Sequence, residues 1–210
     1  GDHLVTQAGV VGVQSTTPRK YGWPMIGLLA VYRATDEIKY LRGAEMVWQQ
    51  VLDKAHPERG LWLNQWGTDP DGNPLLGSKI FMAAVLLTGV MDYHQATGDP
   101  RCVDFLIKGC HTMIDEAWIE KDKGYYYTPS WEDRFTGRLL DTRELVPLGY
   151  TYLITGEKKF LQYGKKQYDA AIPAINKQAL EMETKGFSIF ARTLPHFQAV
   201  LAQKKIYEKK

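Results

Sequence analysis

Four basic residues, Arg19, Lys79, Arg143 and Arg192, stand at or just ahead of apolar stretches that read as helices. Three of those stretches carry a proline near their start, at Pro24, Pro147 and Pro195. A cation at a helix N-terminus opposes the macrodipole, at roughly 0.3–1 kcal/mol where exposed. Four in equivalent places ask for a shared reason. One is an anion site, with backbone N–H groups and guanidinium forks converging on a carboxylate or sulfate. The plainer one, which the sequence favours, is that each pairs with a neighbouring acid such as Glu132, Asp133, Asp141 or Glu144.

A second constellation is aromatic: Trp23, Trp62, Trp66, Tyr125, Tyr126, Tyr127 and Trp131. Flat rings beside polar groups suit the apolar C–H faces of sugars, since pockets combine apolar walls with a few polar groups. Large aromatics in long loops also pin those loops to the body of a protein. Three or four of the seven are expected to do only that. Trp66 and Trp131, flanked by polar or turn residues, are the candidates for exposure.

Two reactions could use these groups. Elimination across a uronate needs a cation on the carboxylate, Arg143 or Arg192, and a base, His196 or a tyrosine such as Tyr126. Glycoside hydrolysis needs two carboxylates, ~5–5.5 Å apart for retention or ~6.5–9.5 Å for inversion. The candidates are Asp69, Asp71, Glu132, Asp133, Asp141 and Glu144. Each has a competing reading. Asp141-Thr-Arg-Glu144 is also a capping box, and Asp69-Pro-Asp-Gly-Asn73 is first of all a turn. The latter lacks the glutamate a calcium loop needs at its twelfth position, where Ile80 stands. His196 balances between an interior hydrogen-bonded histidine and a base. Cys110-His111 has no second ligand cluster for zinc. No phosphate loop and no Ser-His-Asp signature is present, so no cofactor is expected.

The elements that would position these residues repeat. Thr35-Asp-Glu-Ile-Lys-Tyr-Leu41, Thr97-Gly-Asp-Pro-Arg-Cys-Val103 and Thr155-Gly-Glu-Lys-Lys-Phe-Leu161 recur at steps of 62 and 58 residues. An apolar run with an aromatic near its end (Tyr32, Tyr93, Tyr152) precedes each, and a longer amphipathic run follows. The apolar runs predict helices from about Trp23, over 79–95, up to Ile154 and over 188–205. Being apolar all round, they belong in an interior layer. The striped runs predict helices from about Tyr40 to Leu52, over 100–118 and over 158–179, with one face buried. Long connections, 55–78 and 119–140, fall always before an apolar helix. All therefore share the rim that carries the inner-helix N-termini, where function usually sits.

Alternating interior and striped helices predict an all-α, incomplete (α/α) toroid of about three and a half hairpins. An extended segment (1–22) would precede a toroid domain (23–205). The chain resembles the six-hairpin toroid domains of carbohydrate-active enzymes: heparinase II/III-like and alginate lyases, unsaturated glucuronyl hydrolases and related glycosidases. The resemblance lies in Gly22-Trp-Pro-Met-Ile-Gly-Leu-Leu-Ala-Val-Tyr-Arg-Ala-Thr35, in Leu86–Pro100 and in Pro147–Glu157. It implies a bacterial protein, secreted or periplasmic, that binds or degrades a polysaccharide, an acidic one favoured by the arginines. The alternative is a non-catalytic helical scaffold packed on another domain. A closed ring needs roughly 350 residues at this period, so the expected partners besides a glycan are the missing hairpins or a second copy.

The totals agree with a single folded unit. Of 210 residues, 44% are apolar and 24% charged, and the net charge is +2. That balance predicts neither a nucleic-acid partner nor a membrane surface. The longest apolar run, Ile80–Met91, is too short to span a bilayer and reads as a buried helix. Cys102 and Cys110, eight apart on one helix, would lie about 12 Å apart, too far to bridge. The chain opens on Gly1-Asp2 without a signal peptide, the form of an excised or processed piece.

Overall fold

The computed structural model describes residues 17–61, 64–68, 71–72, 74–77, 79–126, 141–178 and 184–207. In chain order the elements are α1 (Arg19–Thr35), α2 (Ile38–Lys54), β1 (Asn64–Thr68), β2 (Pro74–Gly77), α3 (Ile80–Thr97) and α4 (Arg101–Ala117). There follow β3 (Trp118–Ile119), β4 (Gly124–Tyr125), α5 (Leu145–Thr155), α6 (Lys158–Gln178) and α7 (Thr184–Tyr207).

The threonine of the repeat builds the joint of each hairpin. Thr35, Thr97 and Thr155 each donate Oγ1–H to the carbonyl four residues back, at 2.9, 2.8 and 2.6 Å. The same oxygens accept the backbone N–H two residues on, from Glu37, Asp99 and Glu157 at 3.3, 3.2 and 3.2 Å. One hydroxyl thus joins the end of an inner helix to the start of an outer one. The residue between turns left-handed: Asp36 at φ 57°, Gly98 at 70° and Gly156 at 72°. Each closes its helix with an N–H to carbonyl bond of 2.8 Å. Aspartate is one of the few side chains that tolerate this conformation, so Asp36 replaces glycine in the first joint.

Packing divides the helices into two layers. Helix α1 packs on α3, α3 on α5 and α5 on α7, while α2, α4 and α6 cover them from outside. Helix α3 is buried on every side, from Ile80 through Met82–Leu87 to Gly89–Met91 and Tyr93, as its uniform apolarity predicts. Helix α4 buries one stripe: Cys102, Phe105, Leu106, Gly109, Cys110, Met113, Ile114 and Ala117. Both cysteines are free and buried there. Trp48 of α2 is fully buried, edge-on to Phe105 at 5.4 Å, and its indole N–H reaches Asp99 Oδ2 at 3.1 Å. The product is an arc of three hairpins and a seventh helix.

The structure departs from the sequence expectations at element starts. Helix α1 begins at Arg19, so residues 19–22 are helical, and Pro24 lies inside the helix. Helix α7 begins at Thr184, which puts Arg192 and Pro195 well inside it. Only Pro147, third in α5, occupies a first turn. Both long connections also hold hairpins. β1 pairs antiparallel with β2, with a bulge between Gln65 and Gly67, and β3 pairs with β4. Strands this short carry too little alternation to be read from sequence.

Candidate functional site

The concave face of the arc holds a cavity of about 410 Å³ to which all four inner helices contribute. Helix α1 supplies Trp23 and Ile26, and α3 supplies Val85, Thr88, Met91 and Asp92. The start of α5 adds Arg143 and Val146, and α7 adds Ser188, Ile189, Arg192, Thr193 and His196. Trp23, in the second turn of α1, is 47% exposed despite its size. Asp92 and His196 each lie twelve residues past the first residue of their helices, toward the end away from the inner-helix N-termini. Arg143 and Val146 lie at the N-terminal end of α5.

The electrostatics of the lining are uneven. Asp92 is held by Arg33 of α1, whose Nη2 donates to Oδ1 at 2.9 Å and to the Asp92 carbonyl at 3.2 Å. Burial raises the Asp92 pKa; Arg33 and His196 oppose that shift. Arg143 pairs with Asp141 and lies over the Phe81 ring, 5.2 Å from its centre. The sequence's plainer reading therefore holds for Arg143, whose charge is compensated by a neighbouring acid. Arg192 differs. Its Nε donates to the Ser188 carbonyl at 3.2 Å, and no ion pair forms with it among the described residues. Its position mid-helix, away from the N-terminal N–H groups of its own helix, removes the argument from that terminus.

The other sequence candidates separate. His196 is exposed at the cavity wall rather than interior. Arg19 is exposed at the first position of α1 and does not line the cavity. Tyr126 follows β4, donates its backbone N–H to the Ala117 carbonyl at 2.8 Å and lies off the lining. Glu144 is also off it, only 2% exposed. Its Oε2 accepts from Gln167 Nε2 of α6 at 3.1 Å, between the layers. Burial, then the Asp141 charge, pushes its pKa up to about 8. The capping box does not form: α5 starts at Leu145 with no side-chain cap. Asp141 takes the Arg143 N–H at 3.3 Å instead. Glu132, Asp133, Trp62 and Trp131 lie outside the described residues, as does the side chain of Trp66, which sits in β1. Asp92 was missed by the sequence reading. Its signal is a single carboxylate directly after the longest apolar run, on an otherwise interior helix.

This geometry can be set beside known proteins. No protein-family model matches the chain, and no curated protein does. Solved structures do. A glycoside hydrolase family 76 mannosidase from Bacteroides thetaiotaomicron superimposes with a TM-score of 0.62 at 17% identity, over 90% of this chain and 55% of its own. An α-mannanase of that family from the same organism gives 0.59 at 17%, over 73% and 43%. An α-1,6-mannanase from Salegentibacter sp. HEL1_6, inactive with two consecutive aspartates replaced by alanine and solved with α-1,6-mannotetrose, gives 0.59 at 13%, over 75% and 47%. These are (α/α)6 toroid glycosidases. The chain has the (α/α) toroid fold. It spans about half the length of the toroids it matches, in keeping with an incomplete ring. Among the described residues the toroid's inner surface carries its polar groups where the four inner helices converge.

Proposed function

We propose that the cavity on the inner face of this toroid is a glycan cleft, and that the protein acts on a polysaccharide. The observation that carries this is the exposed Trp23 ring set beside Asp92, Arg143, Arg192 and His196 on one concave wall. An aromatic face with a few oriented polar groups is what a sugar ring requires. The solved toroids it resembles are mannanases and a mannosidase, two of them bound to mannooligosaccharides, which supports a glycan as ligand.

An acidic glycan is the preferred substrate, because Arg192 has a guanidinium with no acidic partner among the described residues. Among these residues Asp92 is the one carboxylate on the lining, whereas a cation and a base are both present. That set suits elimination. His196 removes the proton next to the uronate carboxylate while Arg192 stabilises the charge that develops there. The electron pair becomes the carbon–carbon double bond, and the glycosidic oxygen leaves with its bonding pair and takes a proton from water. The test is a titration with polygalacturonate and with α-1,6-mannotetrose at low and moderate salt, followed by an assay for unsaturated product. Salt-sensitive binding of the acidic polymer, weakened by Arg192→Ala, is the expected result. A folded protein that binds neither would sink the reading.

A second reading has its own observation. The Salegentibacter mannanase is inactive when two consecutive aspartates are replaced by alanine, and this chain contains no two consecutive aspartates. On that reading the chain contributes sugar-binding walls, and hydrolytic carboxylates come from elsewhere in a larger ring. Binding of mannotetrose without any cleavage would favour it.

A further inference from the structure

Resting on the cleft reading, we propose that Asp92 is a specificity-determining residue that reads sugar hydroxyls from the α3 wall, next to the cationic residues that α5 and α7 bring to the same cavity. A uronate ring would then lie with its hydroxyl edge toward α3, its carboxylate toward Arg192 and its face on Trp23.

The Arg33–Asp92 pair leaves part of the carboxylate unused. A purely structural arginine–carboxylate pair is commonly a fork on a fork, two parallel bonds to two oxygens. Here one nitrogen, Nη2, serves both Asp92 Oδ1 and the Asp92 backbone carbonyl. Oδ2 accepts no hydrogen bond from any described residue. The side chain is 13% exposed and lines the cavity, so its open part faces ligand space. Arg33 therefore fixes the carboxylate while leaving an acceptor available.

The neighbours narrow what that acceptor can meet. Thr88, one turn earlier on the same wall, spends its proton on the Ala84 carbonyl at 2.8 Å and presents only an acceptor to the cavity. The α3 wall thus offers acceptors and no side-chain donor, and it calls for a ligand edge rich in O–H groups. The segment before α5 and α7 bring Arg143, Arg192 and His196 to the same lining. Acceptors on α3 and donors from α5 and α7 within one cavity orient a ring that has hydroxyls on one edge and an anionic group on another. Desolvating a half-paired carboxylate costs stability, and a hydroxyl donating to Oδ2 offsets that cost in the complex.

The experiment compares wild type, Asp92→Asn and Arg192→Ala by calorimetric titration with trigalacturonate and α-1,6-mannotetrose. Asparagine keeps the shape and an oxygen for Arg33 but is a weaker acceptor. Simple charge bookkeeping predicts that removing an anion from the cleft tightens binding of the anionic probe. Hydroxyl recognition predicts the opposite: Asp92→Asn weakens whichever probe the wild type binds by about tenfold, with little dependence on salt. Arg192→Ala should weaken trigalacturonate alone, and mainly at low salt. Should Asp92→Asn fold poorly, the carboxyl carbon resonance of Asp92 in the wild type gives the same answer by shifting on addition of sugar. Affinity unchanged or increased in Asp92→Asn, or an unmoved Asp92 resonance in a saturated complex, overturns the inference while leaving the cleft in place. A folded wild type that binds neither probe overturns the cleft reading, and the inference falls with it.

Discussion

Gly22 of α1 stands so close to Val85 of α3 that a β-carbon built on the glycine would lie 2.5 Å from the Val85 carbonyl oxygen. Gly89, one turn on, returns the contact, its own β-carbon position falling 3.0 Å from the Gly22 carbonyl oxygen. These two inner helices touch backbone to backbone, next to the wall that carries Trp23 and Asp92. Backbone atoms cannot swing away as a side-chain end can. Gly22→Ala is therefore expected to destabilise the fold by about 1–3 kcal/mol or more, as overpacking does. Gly109→Ala is the comparison: its new β-carbon would meet Leu87 Cδ2 at 2.6 Å, a side-chain end that can rotate. Urea unfolding of both variants should rank Gly22→Ala as the more damaging; the reverse order would mean the α1–α3 contact is looser than described.

The glycine contact also shows which part of the structure a sequence discloses. Alternation of all-apolar and striped helices states the two layers directly, because burial on every side has no other economical arrangement than an inner layer. The Thr35, Thr97 and Thr155 repeat states the joints, because each hydroxyl makes the same two local bonds. What could not be read is set by distant neighbours. Glu144 looks like a helix cap until Gln167, 23 residues away, draws it between the layers. Asp92 looks like an interruption until Arg33 and the cavity are placed around it. The arginines share a sequence pattern but not a role. Arg143 is neutralised by Asp141, while Arg192 sits mid-helix with its fork unspent.

Glu144 should make stability depend on pH in an unusual direction. Its folded pKa is about 8, above its ordinary value of 4.5, so the native state holds a proton that the unfolded chain gives up. Between those values the native state binds more protons, and stability falls as pH rises. The contribution is fully present below about pH 4.5 and lost as pH passes through about 8. Glu144→Gln keeps the shape and cannot ionise. The expected outcome is a flatter profile over that window and higher stability than wild type at pH 8, measured by thermal unfolding against pH. Equal slopes in the two proteins would show that Glu144 is ionised in the native state.

The two cysteines should be silent until the fold opens. Cys102 and Cys110 are buried, and burial pushes both thiols up to about 12, far from the thiolate that reacts. Cys110 further shares a contact of 3.4 Å with the buried Thr151 hydroxyl of α5. Labelling with a disulfide reagent at neutral pH is expected to be very slow in buffer and rapid in denaturant, with both sites appearing together. Fast labelling of Cys110 in the native protein would mean that α4 and α5 separate locally.

Trp23 allows binding to be separated from folding. Nearly half of its surface is exposed, so Trp23→Ala forfeits little core area, and a change of only a few degrees in melting temperature is expected. If the ring is the platform on which a sugar stacks, the same substitution should weaken glycan binding by about tenfold, near 1.4 kcal/mol. The loss should be insensitive to salt, because the lost contact is apolar, whereas loss at Arg192 should shrink as salt rises. Trp23→Phe, which keeps a smaller face, should fall between the two. An alanine variant that binds glycan as the wild type does would show that Trp23 is no stacking platform.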